Sequence, residues 1–597
     1  MKTSELVVEL LEEAGVRYVF GVPGGAIEEL NIALYNNGTI RPIVAKHEGG
    51  AAFMADGYAR VSGKLGVCCA TAGPGATNLI TALACSYADS VPVCALTGQV
   101  ATSVFGKGAI QESGAEGVNL VSIFGNFTKY SGMLFNVKRV QYMVEKAIRV
   151  AMSGRMGPVH LSLPVDVMKL STERVASANK RGFASKMFER QGVQEAARIL
   201  LAAKRPAIIV GWGAGLSQGA EALLVLARLL KIPVATSPKA KGMFPESDPL
   251  SLGCLGFAGS PVAKEYVVER DVDVLLAVGT SFNEWMTSGW DTRLHPTDHL
   301  IQIDVDEEEI GKNYPVSLAL TGDARTILKE LLYAILRDVG GTVSAWQDIA
   351  DVVLRNGVEM GSSDCLGKLW QRVKARGLEQ LAEVGVVKEE HLEVPIVEGE
   401  YYHPRALVAD VQSACPAETI YFADMGATMA WAIRYMVVDQ PYSFHVPLGF
   451  SSMGHSVAAA VGAKLACPDR PVVALVGDGC FLMHGMEVAT AVEYDIPVIW
   501  VIFNNGMLGM VHHGRKLFNP QVPEGLLSGF RHRYDFVKVA EGLGARGIRI
   551  KEPGGLTPQL LAEVIAAGQP TVIDVWIDET AVPPIHSRIE AVANQYK

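Results

Sequence analysis

Three times along the chain, apolar runs of two to six residues alternate with amphipathic helical segments, joined by turns rich in Gly and Pro. Helix–strand alternation with such short runs predicts parallel strands covered by helices on both faces, a doubly wound α/β unit. The first unit, residues 1–170, carries runs at 18–20, 43–44, 66–71, 91–96 and 159–163. The second, residues 191–336, carries them at 207–210, 234–236, 274–278 and 300–304. The third, residues 404–580, has runs at 419–422, 472–476 and 498–503. The charged stretch 171–190 reads as a linker, residues 337–403 as a helical, Gly-interrupted linker, and 581–597 as a tail. The expected fold class is therefore α/β, with three doubly wound parallel-sheet domains.

Composition agrees with buried sheets: 49% of the 597 residues are hydrophobic, 61 are Gly, and only 19% are charged. The formal net charge of −10, with no long Lys/Arg stripe, argues against a nucleic-acid partner. Nine Cys are scattered with only Cys68 and Cys69 adjacent, a pattern of neither a disulfide framework nor a zinc site, and the expectation is a reducing cytoplasm. The chain starts directly on an amphipathic pattern (Leu6, Val7, Leu10, Leu11) and contains no uncharged run of about 18 apolar residues, so neither export nor membrane insertion is indicated.

Two segments carry chemistry. Gly477-Asp478-Gly479-Cys480 follows the apolar run 471–476, and Asn504-Asn505 ends the run 498–503. At the carboxyl edge of one parallel sheet, Asp478 and the Asn505 amide offer hard oxygens to a small divalent cation that also binds diphosphate; Mg²⁺ suits such a site. Asp-Gly and Asn-Asn are also ordinary turn formers, so each pair alone has a structural explanation. The second segment runs from His47-Glu48-Gly49-Gly50 to Ala59-Arg60 and starts a helix, where the backbone dipole alone would favour Glu48.

Together, the Gly-Asp-Gly and Asn-Asn pairs resemble the thiamine-diphosphate motif shared by pyruvate decarboxylases, acetolactate synthases and their relatives, and the segment around Glu48 is similar to the acetolactate synthase large-subunit family. Further similar segments are Gly21-Val22-Pro23-Gly24-Gly25, Gly73-Pro74-Gly75-Ala76-Thr77-Asn78, Thr97-Gly98-Gln99-Val100, Gln111-Glu112, Gly157-Pro158-Val159-His160-Leu161 and Gly449-Phe450-Ser451-Ser452-Met453-Gly454. The resemblance covers nearly the whole chain except about 340–400.

It implies a pyrimidine-binding first domain, a Rossmann-like central domain and a diphosphate-binding third domain. It also implies thiamine diphosphate and Mg²⁺, the ion held by Asp478, Asn505 and the carbonyl of Met507. Glu48 is implied to hydrogen-bond N1′ of the aminopyrimidine, favouring the tautomer that removes the thiazolium C2 proton, and Gln111 to face the substrate. The cofactor would further touch Gly24, Gly25, Thr71, Pro74, Asn78, Gly426, Ala427, Thr428, Ser451, Gly477, Gly479, Cys480, Leu508, Gly509 and Met510, with Met453 as a wedge between its two rings. The implied assembly is a homodimer or homotetramer with active sites between chains, acting on small carbonyl substrates.

Where the family carries an acceptor-binding Arg, within a pattern like Gly-x-Arg-Phe-Asp-Asp-Arg-Val-Thr-Gly, this chain has Trp285 in Gly279-Thr280-Ser281-Phe282-Asn283-Glu284-Trp285. An aromatic ring cannot form the bidentate pair a carboxylate wants. The family's Leu-Gly-Met-His-Gly reads Leu255-Gly256-Phe257-Ala258-Gly259, its Gln-His-Gln reads Ala427-Thr428-Met429, and Gly514 stands where a Trp favours larger acceptors. The candidate acceptor pocket is Phe105, Phe257, Trp285, His512 and Gly514, with His512 and His513 either acid/base groups or packed and solvated residues. FAD, an ADP-like ligand or no ligand in the central domain all remain open. The expected activity is a carboligase or lyase acting on a 2-oxo acid or related carbonyl. Alternatives are a decarboxylase or C–C hydrolase that only protonates the enamine and, from Gly211-Trp212-Gly213-Ala214-Gly215, a nicotinamide-dependent dehydrogenase, although that turn also reads as a tight β–α connection.

Overall fold

The computed structural model describes residues 1–175, 188–339, 346–355, 369, 373, 381–385, 399–519, 521–523 and 527–595. Each expected α/β unit is a six-stranded, wholly parallel sheet. The first has β1 Tyr18–Gly21, β2 Arg41–Val44, β3 Gly66–Ala70, β4 Val93–Gln99, β5 Tyr130–Met133 and β6 Val159–Pro164, in the order β2-β1-β3-β4-β6-β5. The second has β7 Ala207–Val210, β8 Val234–Thr236, β9 Ser251–Cys254, β10 Val274–Val278, β11 His299–Asp304 and β12 Leu318–Thr321, in the order β12-β11-β10-β7-β8-β9. The third has β13 Ile420–Ala423, β14 Phe444–His445, β15 Val472–Gly477, β16 Ile499–Asn504, β17 Arg546–Ile550 and β18 Thr571–Trp576, in the order β14-β13-β15-β16-β18-β17.

The first and third sheets share one strand order, and in each a helix follows the second strand: Glu48–Ser62 and His455–Ala466. These two helices pack against each other, and Ala51, Ala52, Ala55, Ala459, Ala460 and Ala463 all belong to one continuous buried core. Small residues allow the backbones to approach closely. A Cβ on Gly57 would lie 2.0 Å from the Ala459 carbonyl oxygen, and one on Gly462 would lie 1.9 Å from that of Met54. The two contacts are related by exchange of the helices, a local pseudo-twofold. Gly57→Ala is therefore expected to force the domains apart, costing about 1–3 kcal/mol, seen as a fall in Tm; an unchanged Tm would contradict the close crossing.

A buried ion network joins all three domains. Arg60 bonds Asp56 and, at 2.8 Å, Asp89; Lys239 of the second domain reaches Asp89 at 3.0 Å, and His455 of the third reaches Asp56 at 2.7 Å. Burial alone would raise the Asp56 carboxyl, but Arg60 and His455 outweigh it and hold it well below the usual carboxylate range.

Within the second domain the Gly-rich turn answers to packing. Gly211 and Gly213 lie against the backbone of Gly279 and Thr280, leaving no room for a Cβ, and the N–H groups of both donate to main-chain oxygens at 2.9 Å. The turn therefore needs no dinucleotide to explain its glycines.

Linker and tail differ from expectation in detail. Of the first linker, 176–187 lie outside the described residues, as do most of 340–398; the described part of the second includes the helix Trp346–Arg355. The expected tail is largely a helix, His586–Gln595, seated on the second domain: Arg588 pairs with Glu284, and a Cβ on Gly289 would lie 2.8 Å from Ala591.

Candidate active site

Asp478 directly follows β15 and Asn505 follows β16, neighbouring strands in register Gly477↔Phe503, so both side chains emerge at one carboxyl edge. They line a pocket with residues 426–428, Met453, residues 477–480 and residues 507–510. Thus every third-domain residue expected at the cofactor is gathered there except Ser451, which is not among the lining residues. Ser451 has φ of 61°, a left-handed backbone uncommon for a side-chain-bearing residue.

The pocket suits a diphosphate with a hard cation. Asp478 accepts from the N–H groups of Gly479 and Gly506, both at 2.7 Å, yet burial still pushes its carboxyl up to about 6. A divalent cation on that carboxylate would reverse the shift. Three helices, Ala427–Tyr435, Asp478–His484 and Gly509–Phe518, begin at this pocket, and helix N-termini favour anions such as phosphate. A Cβ on Gly426, whose φ is 124°, would meet nothing within 4 Å. Among the described residues no three His, Cys, Asp or Glu converge on one point, so a metal here would take one carboxylate, one amide and a carbonyl, a set that leaves room for water and phosphate oxygens.

Glu48 belongs to a separate cluster in the first domain. It is the first residue of the helix Glu48–Ser62, whose start is tied to the third domain by the Lys46 and His47 N–H groups, which donate to Glu487 at 3.1 and 3.0 Å. Its carboxylate is partly exposed and accepts from Asn78 Nδ2 at 2.9 Å. Around it, Gly24 and Gly75 approach Thr71 so closely that a Cβ on either would lie within 2.9 Å of it, and Thr71 Oγ1 is buried with no partner. An orphaned hydroxyl between two glycines beside a carboxylate is a cradle for a polar ring. Gln111, with φ of 63°, covers the turn before Pro74: a Cβ on Gly73 would lie 3.1 Å from its own. Gly25, which starts a short 3₁₀ turn, has open space beside it. No residue of this cluster lines the third-domain pocket of the same chain.

The candidate acceptor residues are scattered. Phe105 lies in the first-domain loop near Gly114. Phe257 is buried in the core shared with the third domain, and its ring meets Trp285 edge-on at 4.6 Å. The Arg588 guanidinium lies 5.3 Å over Trp285 while paired with Glu284, so a cation does stand near the altered position. His513, and not His512, lines the cofactor pocket; His512 points to Ser528 at 3.4 Å. Burial, with His512 beside it, pushes His513 down to about 4, leaving it neutral near pH 7. Gly514, one residue on, has nothing within 4 Å of a Cβ and is not in the lining. Ile577 and Asp578 line the pocket unforeseen, because β18, which leads to them, was not among the expected runs.

Similarity to known proteins follows the same division. Residues 1–118 match the N-terminal TPP binding domain of thiamine pyrophosphate enzymes, 193–331 the central domain, and 424–575 the C-terminal TPP binding domain. Over 98% of this chain and 93% of its own length, a probable acetolactate synthase large subunit of Methanocaldococcus jannaschii is 35% identical. Acetolactate synthase large subunits of Corynebacterium glutamicum and Haemophilus influenzae are 33% and 31% identical over 97% of this chain, covering 87% and 94% of their own lengths. The site and fold define a thiamine-diphosphate-dependent enzyme of the transferase/lyase class. The chain belongs to the acetolactate synthase large-subunit family, which supports a carboligase type of activity.

Proposed function

We propose that this chain is a carboligase or lyase for a 2-oxo acid, with each active site built from the first domain of one chain and the third domain of another. The observation that carries this reading is the separation of Glu48 and its cradle from the pocket of Asp478 and Asn505. A homodimer or homotetramer joins the halves. Asp478, Asn505 and the carbonyl of Met507 would hold Mg²⁺ and through it the diphosphate; Glu48 would hydrogen-bond the aminopyrimidine, with Thr71 beside it.

Bound there, thiamine diphosphate supplies an electron sink for the carbanion left when a bond next to a carbonyl breaks. Gln111 would orient the substrate from the first domain. His513, neutral and lining the pocket, is the group placed to accept a proton.

Trp285 in place of the family's Arg, and Gly514 in place of its Trp, favour a second reading, a decarboxylase or C–C hydrolase that protonates the intermediate instead of transferring it. Incubation with pyruvate distinguishes them: acetolactate supports the carboligase, acetaldehyde the decarboxylase. His513→Gln is expected to lower turnover about tenfold or more, within the range of general base catalysis, while thiamine diphosphate still raises Tm; unchanged turnover would remove His513 from proton transfer.

In the central domain, a cavity of about 140 Å³ bordered by Gly211, Thr280, Asn283, Asp304 and Asp323 is where FAD or an ADP-like ligand would bind. An absorbance spectrum of the purified protein tests for the flavin. All eight cysteines among the described residues are unpaired, which supports a reducing, cytoplasmic setting. No described helix is long and apolar enough to cross a membrane.

A further inference from the structure

The helix Ala427–Tyr435 begins at the cofactor pocket and ends at a second cavity, of about 320 Å³, which shares no lining residue with the first. The second domain supplies most of its wall, including Val268, Met286 and Leu294, while Pro584, just before the C-terminal helix, and His586 and Ser587 at its start complete it. Into this largely apolar space reaches Arg434.

The Arg434 guanidinium is half-buried. It donates to the Gly259 carbonyl at 3.3 Å, lies 5.7 Å from the Tyr435 ring centre and hydrogen-bonds the Tyr435 side chain, both neutral partners. A guanidinium has five N–H donors in a planar fork, and among the described residues no carboxylate pairs with this one. Burial pushes its pKa down; Tyr435 beside it pushes the other way, and Arg405 nearby adds to the fall. The other charged groups at the cavity do not relieve it: Asp291 is engaged by both the side chain and the backbone of Arg293, and Lys264 is a second cation, 4.0 Å from Glu269. A half-buried cation without a counter-ion is costly unless something completes it.

We propose that this cavity binds a small carboxylic acid bearing a short apolar chain, the carboxylate on the Arg434 fork and the chain against Met286, Val268 and Leu294. Geometry selects a carboxylate because its two oxygens match the fork, and the apolar wall selects a hydrocarbon tail over a second charge. This site is independent of the substrate assignment above.

Titration of the full-length protein with hexanoate by calorimetry, with its neutral isostere hexanamide and with acetate as comparators, tests it. Hexanoate is expected to saturate one site per chain and to bind at least about tenfold more tightly than either comparator, hexanamide losing the charge-assisted contact and acetate the buried methylenes. Arg434→Gln is expected to weaken hexanoate by about the same factor, and Arg434→Lys to recover only part, since the ammonium lacks the fork. Equal binding of hexanoate and hexanamide, no hexanoate binding in the millimolar range, or wild-type affinity in Arg434→Gln would overturn the assignment. The wild-type comparison of acid with amide decides even if both variants fail to fold.

Discussion

Glu48→Gln is expected to reduce kcat by roughly 10²–10⁴-fold, the usual worth of a placed general acid or base, with the fold intact. Gln preserves the length of the side chain and can still receive the Asn78 N–H, which Glu48 accepts at 2.9 Å. What it removes is the charge that would strengthen a hydrogen bond to the aminopyrimidine. The expected signature is thus a kcat effect with little change in Tm and with retained stabilisation by thiamine diphosphate plus Mg²⁺. Activity within about twofold of wild type, far below the range for such a group, would show that Glu48 only caps its helix.

Asp478→Ala is expected to act at a different step. Asp478 is buried, with its carboxyl raised to about 6, and its oxygens organise the N–H groups of Gly479 and Gly506. Removing it takes away the one carboxylate at the expected Mg²⁺ position. Ligand at about 100 times its Kd should stabilise the wild type by about 2.7 kcal/mol; the variant should show no rise in Tm with thiamine diphosphate and Mg²⁺, and no activity. Asp478→Asn, which keeps an oxygen donor, should retain a weakened response. A full response in Asp478→Ala would move the metal elsewhere.

These outcomes rest on features of unequal legibility. The central strands were legible because burial on both faces makes them continuous apolar runs, as in β3, β7 and β10, all fully buried. Other strands were harder: β12, Leu318–Thr321, and β17, Arg546–Ile550, lie at sheet edges and are not buried throughout, and β17 carries Arg and Gly among its apolar residues, while the inner strand β18, Thr571–Trp576, has its apolar run interrupted by Asp574. β14 is only two residues long. The C-terminal helix was obscured because its partners, Glu284, Trp285 and Gly289, lie some three hundred residues earlier.

At the site, the third-domain pocket was readable because strand-end turns carry their ligands in short contiguous stretches, 426–428, 477–480 and 505–510. Which of two adjacent histidines faces it was not, since neighbouring residues on a helix differ by about 100° in direction, a matter settled by how the helix is seated. In Gly509–Phe518 that seating turns His513 inward and His512 toward Ser528. Nor does any local pattern reveal Arg434, whose isolation depends on three distant segments closing one cavity.

Mixing the two inactive variants tests the shared active site most directly. In a hybrid of Glu48→Gln and Asp478→Ala chains, one of the two composite sites receives an intact first domain from one chain and an intact third domain from the other. After subunit exchange at equal concentrations, confirmed by native mass spectrometry, activity should return to about one quarter of wild type, because half the dimers are hybrids and half their sites are whole. Exchange without any recovery of activity would contradict an active site built from two chains.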